Sequence, residues 1–254
     1  MCVAAVAWEA HPHWRLVAVG NRDEYHARPA APLGAWDNGM LAGKDLKSGG
    51  TWLGVTDQRF ALVTNLRGYG GPDADKASRG ALVTDLLTGT GSYADPQAVP
   101  LQDFNPFNLF LASPGGLTFL SNRPGDIRTP LVHGIYGLSN GALDEPWPKT
   151  LQLKAALLDW LTADAADFDP LFAALREERH ADIGLPPSAP SDVPREPRDS
   201  SVFIRDAVYG TRCSTVVAID RDGAGLIIER RFDQGAAPTG ETRLGFSWIS
   251  APAG

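Results

Sequence analysis

The apolar positions fall first into short runs and later into helically spaced stripes. Residues 2–8 and 15–22 are Val- and Ala-rich runs separated by His11-Pro12-His13, a turn signal, which predicts a hairpin. A second hairpin is expected over 51–56 and 60–66, joined at Asp57-Gln58 and preceded by a bend at Gly49-Gly50. A third spans 108–112 and 117–121 around Ser113-Pro114-Gly115-Gly116. Helical spacing starts after Ser78, a capping residue type, with Leu82, Val83, Leu86 and Leu87 on one face and Gly89 as the stop. A second helix is expected over 149–162, with Leu151, Ala155, Leu158 and Leu161 toward a core. Asp169-Pro170, an N-cap followed by proline at the first helical position, opens a third that runs to about His180.

Residues 185–199 hold five prolines and many charges. They read as a surface loop, because strands are expected again at 201–204, 214–220, 226–232 and 244–249. No internal repeat is visible, and residues 1–254 read as a single domain. Strands, then helices, then strands argue for an α+β architecture in which antiparallel sheets pack together under helices.

Composition narrows the class. The chain has 254 residues, 43% hydrophobic and 21% charged, which suffices for a substantial core. A net charge of −7 with no Lys/Arg cluster argues against a nucleic-acid surface. No run of about 18 apolar residues occurs, so no membrane span is expected. The N-terminus lacks a basic region ahead of its apolar run, so no secretory signal is expected either. Two cysteines, Cys2 and Cys213, make neither a disulfide framework nor a four-ligand zinc site. A reduced, cytoplasmic protein is the expectation, with a single Cys2–Cys213 disulfide left open.

Cys2 is the most informative residue. If Met1 is removed, the chain begins with a thiol and an α-amino group on one residue, a nucleophile beside its own base. The plainer alternative is that Cys2 only starts a buried strand. Asn21-Arg22-Asp23-Glu24 closes the strand paired with it. Asp23 there could hold the α-amino group and Arg22 could favour the thiolate, or the four could be a strand end entering solvent. Asn65 and Asn140 each close a strand, either as turn residues or as oxyanion-hole donors for acyl transfer. Arg212 starts a late strand and could add a second positive charge.

Gly137-Leu138-Ser139-Asn140-Gly141 fits the nucleophile-elbow pattern, but two prolines follow where that motif needs a helix. His11-Pro12-His13 lacks a third metal ligand in view. No phosphate-binding loop or dinucleotide fingerprint is present, so no cofactor and no metal are expected.

Taken together, Met1-Cys2, Asn21-Arg22-Asp23-Glu24, Gly49-Gly50-Thr51-Trp52-Leu53-Gly54, Thr64-Asn65-Leu66-Arg67, Ser78-Arg79-Gly80 and Tyr209-Gly210-Thr211-Arg212 resemble the NRDE protein family. It is also called the transport and Golgi organisation protein 2 family, and the resemblance runs through nearly the whole chain in motif order. It implies a four-layer αββα sandwich of two antiparallel sheets, of the N-terminal-nucleophile hydrolase type. The related choloylglycine hydrolases and penicillin V acylases cleave amides of bile acids, penicillins and acyl-homoserine lactones. By that resemblance Cys2 matches the nucleophile, Asp23 the aspartate closing the second strand, Asn65 and Asn140 the two active-site asparagines, and Arg212 the late arginine. Those hydrolases carry an arginine two residues before the Asn-x-Asp element, where this chain reads Val19-Gly20; Arg22 is the candidate replacement. Serine is common in the family where this chain has Cys213.

The resemblance implies a hydrolase acting on a linear amide or ester of an acyl-type small molecule. The family is also linked to lipid, acyl-CoA or haem handling, which implies the rival: a non-catalytic carrier of an apolar ligand on the same fold. The sequence leaves the oligomeric state open.

Overall fold

The computed structural model describes residues 2–165 and 167–249. Met1, and with it the question of its removal, lies outside the described residues.

The described residues form thirteen strands and three α-helices. In chain order they are β1 (Cys2–Trp8), β2 (Trp14–Tyr25), β3 (Ala30–Ala35), β4 (Leu41–Asp45), β5 (Leu53–Val55), β6 (Phe60–Asn65), α1 (Arg79–Thr88), β7 (Phe107–Ser113), β8 (Gly116–Ser121), β9 (Ile127–Leu131), β10 (Gly134–Leu138), α2 (Pro148–Thr162), α3 (Asp169–Leu175), β11 (Tyr209–Asp220), β12 (Ala224–Phe232) and β13 (Pro238–Ser247). They build two antiparallel sheets, one of six strands in the order β10-β1-β2-β11-β12-β13, the other of seven from β3 through β9 in sequence order.

Strand parity assigns the layers. Successive side chains point to opposite faces of a sheet. Ala4, Val6 and Trp8 of β1 share a cluster with Leu62 of β6 and Phe110 of β7, so this face meets the other sheet. Val3, Ala5 and Ala7 pack instead with Leu153, Leu157 and Trp160 of α2 and Leu171 of α3. On the outer face of the second sheet, Ala61, Val63 and Leu109 pack with Leu82, Val83 and Leu86 of α1. The result is an α+β sandwich of four layers, α2 and α3, six strands, seven strands, α1. Each fully buried Leu or Phe in these layers contributes about 1.5–3 kcal/mol of transfer free energy.

Several expectations change. The buried face of α2 is Leu153, Leu157, Trp160 and Leu161; Ala155 is exposed and Leu158 is 53% exposed. Both stripes have helical spacing, and the one carrying Trp160 wins because its indole packs on Trp14 and Phe168. Helix α3 stops at Leu175 rather than near His180. Beyond it the Glu177 carbonyl accepts from Phe203 N–H, so the chain has left the helical ladder. Residues 201–204 form no strand. The Ile204 N–H donates to Thr211 Oγ1 and the Val202 carbonyl accepts from Asn21 Nδ2, so side chains take the place of a strand partner. Strands β3, β4 and β9 lack a clean alternation, and β3 and β9, each with a proline, lie at the edges of the seven-stranded sheet.

Gly50 and Gly80 make the crossing that brings α1 to the sheet. A β-carbon on Gly50 would lie 2.2 Å from the Gly80 carbonyl carbon, which is backbone and cannot swing aside. Gly50→Ala is expected to cost about 3 kcal/mol. For a chain of this size the melting midpoint should fall by roughly 6–12 °C in a thermal scan.

Candidate active site

Cys2, Arg22 and Cys213 form one row across three strands. Cys2 is the cross-strand partner of Arg22, and Arg22 of Cys213 on its other side. By parity with Ala4 and Val6, Cys2 faces the space between the sheets. The row lies on a cavity of about 730 Å³, which is also lined by Asp23, Glu24, Asp45, Trp52, Asn65, Arg79, Arg212 and Glu229. Neighbouring strands are about 4.8 Å apart, so two intervals separate Cys2 from Cys213 by roughly 9–10 Å of backbone. That exceeds disulfide reach, and both thiols are free.

Burial pushes the Cys2 thiol above its usual range, and the negative charge of Asp23 adds to this. The Asp23 backbone N–H, which donates toward the sulfur, and the Arg22 charge pull the other way. The thiol therefore needs a base to become a nucleophile at neutral pH. Arg22 is fixed by Asp45 Oδ2 at 3.1 Å and Glu24 Oε2 at 3.6 Å. Burial would raise the Asp45 carboxyl, but the hydrogen bond from Arg28 and the Ser48 N–H, with the charges of Arg28 and Arg22, hold it below its ordinary value.

Asp23 has the parity of Asn21, whose amide reaches the Leu175 and Val202 carbonyls on the helical side. Its Oδ1 accepts from Thr211 Oγ1 at 2.6 Å. Burial raises its carboxyl from 3.8 to about 6, against the Lys149 charge and the Thr211 hydrogen bond. Lys149, in the first turn of α2, is fully buried, and its Nζ donates to Ser200 Oγ at 3.1 Å. Burial lowers its ammonium to about 8, with the Asp23 charge opposing that shift.

The asparagines divide their tasks. Asn65 lines the cavity at the end of β6. Asn140 is 1% exposed, and its Nδ2 donates to the Asn65 carbonyl at 2.8 Å, while its Oδ1 accepts from Ser139 Oγ. The single Ser139 hydroxyl proton is shared with the Cys2 carbonyl, the closer acceptor at 2.8 Å. Asn140 is thus turned onto its neighbour, and Ser139 holds the backbone of Cys2.

Arg212 is the extra residue of a β-bulge between Thr211 and Cys213. Its Nη1 donates to the Tyr25, His26 and Arg28 carbonyls at 3.0–3.2 Å, closing the turn after β2. Arg22, not Arg212, is the guanidinium whose charge bears on the Cys2 thiol. Across the cavity, burial and then the Glu229 charge push the Cys213 thiol well above its ordinary value.

Sequence reasoning missed Lys149, which looks like an ordinary helix residue, and Glu196, which falls in the Pro-rich segment. It also gave Arg79 no task. That guanidinium lines the cavity, donates from Nη1 to the Pro106 carbonyl at 2.8 Å, and is lowered by burial to about 10. Among the described residues no carboxylate forms an ion pair with it.

No helix of the described residues is long and apolar enough to cross a membrane. No group of three or more acidic, His or Cys side chains that could hold a metal ion occurs among them.

Comparison with known proteins agrees with the motif order. A family model described as "Transport and Golgi organisation 2" matches residues 1–234. The "Transport and Golgi organization protein 2 homolog" of Homo sapiens is 31% identical over 258 residues, covering 91% of this chain and 92% of that protein. The Bos taurus homolog is 32% identical, covering 94% and 95%. "Transport and Golgi organization protein 2" of Drosophila melanogaster is 26% identical, covering 95% of each. With the matched family model reaching from the thiol row through β12, the chain belongs to the Transport and Golgi organisation 2 family.

Proposed function

We propose that the chain is a cysteine N-terminal-nucleophile hydrolase, acting on a linear amide or ester bond of an acyl-type small molecule. The observation that carries this reading is the position of Cys2. It opens on a large cavity at the end of β1, with Arg22 beside it, the Asp23 N–H on its sulfur and Asn65 on the facing sheet. Removal of Met1 is the first step. The freed α-amino group, with a reference pKa near 7.7–8.0, takes the thiol proton directly or through water. The thiolate attacks the carbonyl carbon, and Asn65 stabilises the developing oxyanion, worth about 3–4 kcal/mol for a good donor. The α-ammonium returns its proton to the leaving group. Water then hydrolyses the thioester, regenerating Cys2. In this reading Asp23 holds the α-amino group, Arg22 favours the thiolate, Asn140 fixes Asn65, and Arg212 keeps the loop after β2 closed over the cavity. Lys44, Lys47, Lys76 and Arg79 line the same cavity with no ion pair among the described residues, which favours a substrate bearing a negative charge.

The test is the intact mass of the purified chain, followed by a panel of N-acyl amides and p-nitrophenyl esters before and after alkylation. A mass lacking Met1, with turnover that alkylation of Cys2 removes, is the expected result. No turnover, with saturable binding of haem or acyl-CoA, would instead make the cavity that of a carrier.

The pH profile gives a second check. Asp23 must be ionised to hold an ammonium group, and its carboxyl titrates at about 6. Activity should therefore decline as pH falls through about 7.7–8.0, where the α-amine gains its proton, and fall more steeply below about 6 as Asp23 is neutralised. Asp23→Asn should lower kcat about 100-fold or more and remove the steeper fall below about 6. An unchanged fall below about 6 in this variant would assign it to another group.

A further inference from the structure

The Pro-rich segment 185–199 delivers a buried carboxylate to the site. Glu196 is 4% exposed and pairs with Arg67, 5% exposed, at 3.6 Å. The single proton of the Tyr209 hydroxyl is shared between Glu196 Oε1 at 3.1 Å and the Asp23 carbonyl at 2.9 Å. Ser191 donates to the other Glu196 oxygen. On the far side Arg67 lies two residues past Asn65; its backbone N–H donates to the carbonyl of Asn140, just past β10 of the six-stranded sheet, at 2.9 Å, and Asn140 donates to the Asn65 carbonyl. Asp23 lies on β2 of the six-stranded sheet, and Asn65 closes β6 of the seven-stranded sheet. One carboxylate is therefore tied to both halves of the site. The segment itself is pinned around it: Arg67 Nη1 donates to the Arg198 carbonyl at 2.5 Å, and the Gly68 and Tyr69 N–H groups donate to Asp192 Oδ2 at 2.6 and 3.1 Å.

We propose that Glu196 is a positioning residue. Held at once by Tyr209 and Arg67, it sets the spacing between the Cys2–Asp23 side of the site and the Asn65–Arg67 segment that closes β6. For its catalytic consequence the proposal rests on the hydrolase reading. Attack needs the carbonyl carbon near sulfur while its oxygen meets the Asn65 donor, so a shift between the sheets lowers the rate of the chemical step more than it weakens binding. The charge of Glu196 is secondary to its shape in this role, because Gln can still accept from Tyr209 and face Arg67.

The experiment uses the full chain with Glu196→Ala, Glu196→Gln and Tyr209→Phe, and two readouts. The first is the rate of iodoacetamide alkylation at Cys2, followed by peptide mass, which needs no substrate and no catalysis. Loosening the tie should draw the Asp23 N–H, which favours the thiolate, away from the sulfur and slow alkylation about fivefold or more in Glu196→Ala and Tyr209→Phe, with Glu196→Gln within about twofold of the parent. The second is kinetics on any ester or amide the parent hydrolyses. There kcat should fall about tenfold or more in Glu196→Ala with KM within about threefold, and Glu196→Gln should recover most of it. Alkylation rates all within twofold of the parent would overturn the tie. Glu196→Ala leaves Arg67 buried without this carboxylate, so it is the variant at risk of not folding; Tyr209→Phe keeps the ion pair and then decides alone. A parent that hydrolyses nothing would defeat the hydrolase reading, and the alkylation rates would still decide whether Glu196 ties the two sheets.

Discussion

Cys2→Ala is expected to abolish the proposed ester and amide turnover while the protein melts within a few degrees of the parent. The first half follows from what else faces the cavity. Cys213 is the other thiol there, and it is held well above its ordinary pKa by burial and the Glu229 charge. Its thiolate is strongly disfavoured, and Cys213→Ala should keep turnover within about threefold. The second half follows from position. Cys2 is only partly buried and opens on the cavity, so loss of the sulfur leaves no sealed void. Sealed voids are what make large-to-small changes costly, so less than about 1 kcal/mol is expected here. For a chain of this size that is a shift of roughly 2–4 °C or less. Progress curves with a p-nitrophenyl ester, paired with a thermal scan of the same preparation, check both halves. Turnover surviving in Cys2→Ala would remove the nucleophile assignment.

The sequence speaks most clearly where one periodicity has one consequence. β1 and the start of β2 are legible because both faces of those strands are buried, giving continuous apolar runs bounded by a turn. α1 is legible because Leu82, Val83, Leu86 and Leu87 form one stripe and Gly89 takes the left-handed cap at φ 67°. The same reasoning picks the wrong face of α2, where two apolar stripes compete and the choice depends on the distant partners Trp14 and Phe168. Edge strands β3 and β9 stay hidden because an edge needs no alternation and tolerates proline. In the site, Cys2, Asp23 and Asn65 stand out as polar residues at the ends of apolar runs. Arg212 does too, but its direction depends on a bulge that no spacing announces. Lys149 and Glu196 leave no local mark at all. Each is an ordinary surface residue type in an ordinary setting, and only tertiary closure places both near Asp23.

Lys149→Met should be among the most destabilising single changes in the chain, and its cost should grow with pH. Methionine fills the space of the lysine stem, so the change removes charge more than volume. In the parent near pH 7, Asp23 is largely ionised at about 6 and Lys149 largely protonated at about 8, so each offsets the burial of the other. Removing one partner of a buried pair costs about 3–5 kcal/mol, because the remaining charge is left without that compensation. The sign with pH follows from Asp23. Its folded-state pKa lies above its ordinary 3.8, so the native state binds the proton more tightly than the unfolded chain. Stability from this group is therefore present at low pH and lost as pH rises through the folded-state value. Without Lys149 that value moves higher still, and the loss becomes deeper near neutrality. Near pH 5 Asp23 is mostly neutral in both proteins, and removing a buried ammonium then costs little. Thermal scans at about pH 5 and about pH 7.5 should show a small difference at the first and a fall of roughly 6–20 °C at the second. The double variant Asp23→Asn/Lys149→Met removes both charges and should regain much of the loss at neutral pH. A deficit equal at both pH values, and unrelieved in the double variant, would mean that Lys149 acts through packing and the Ser200 contact, and that the charge on Asp23 is held by other groups.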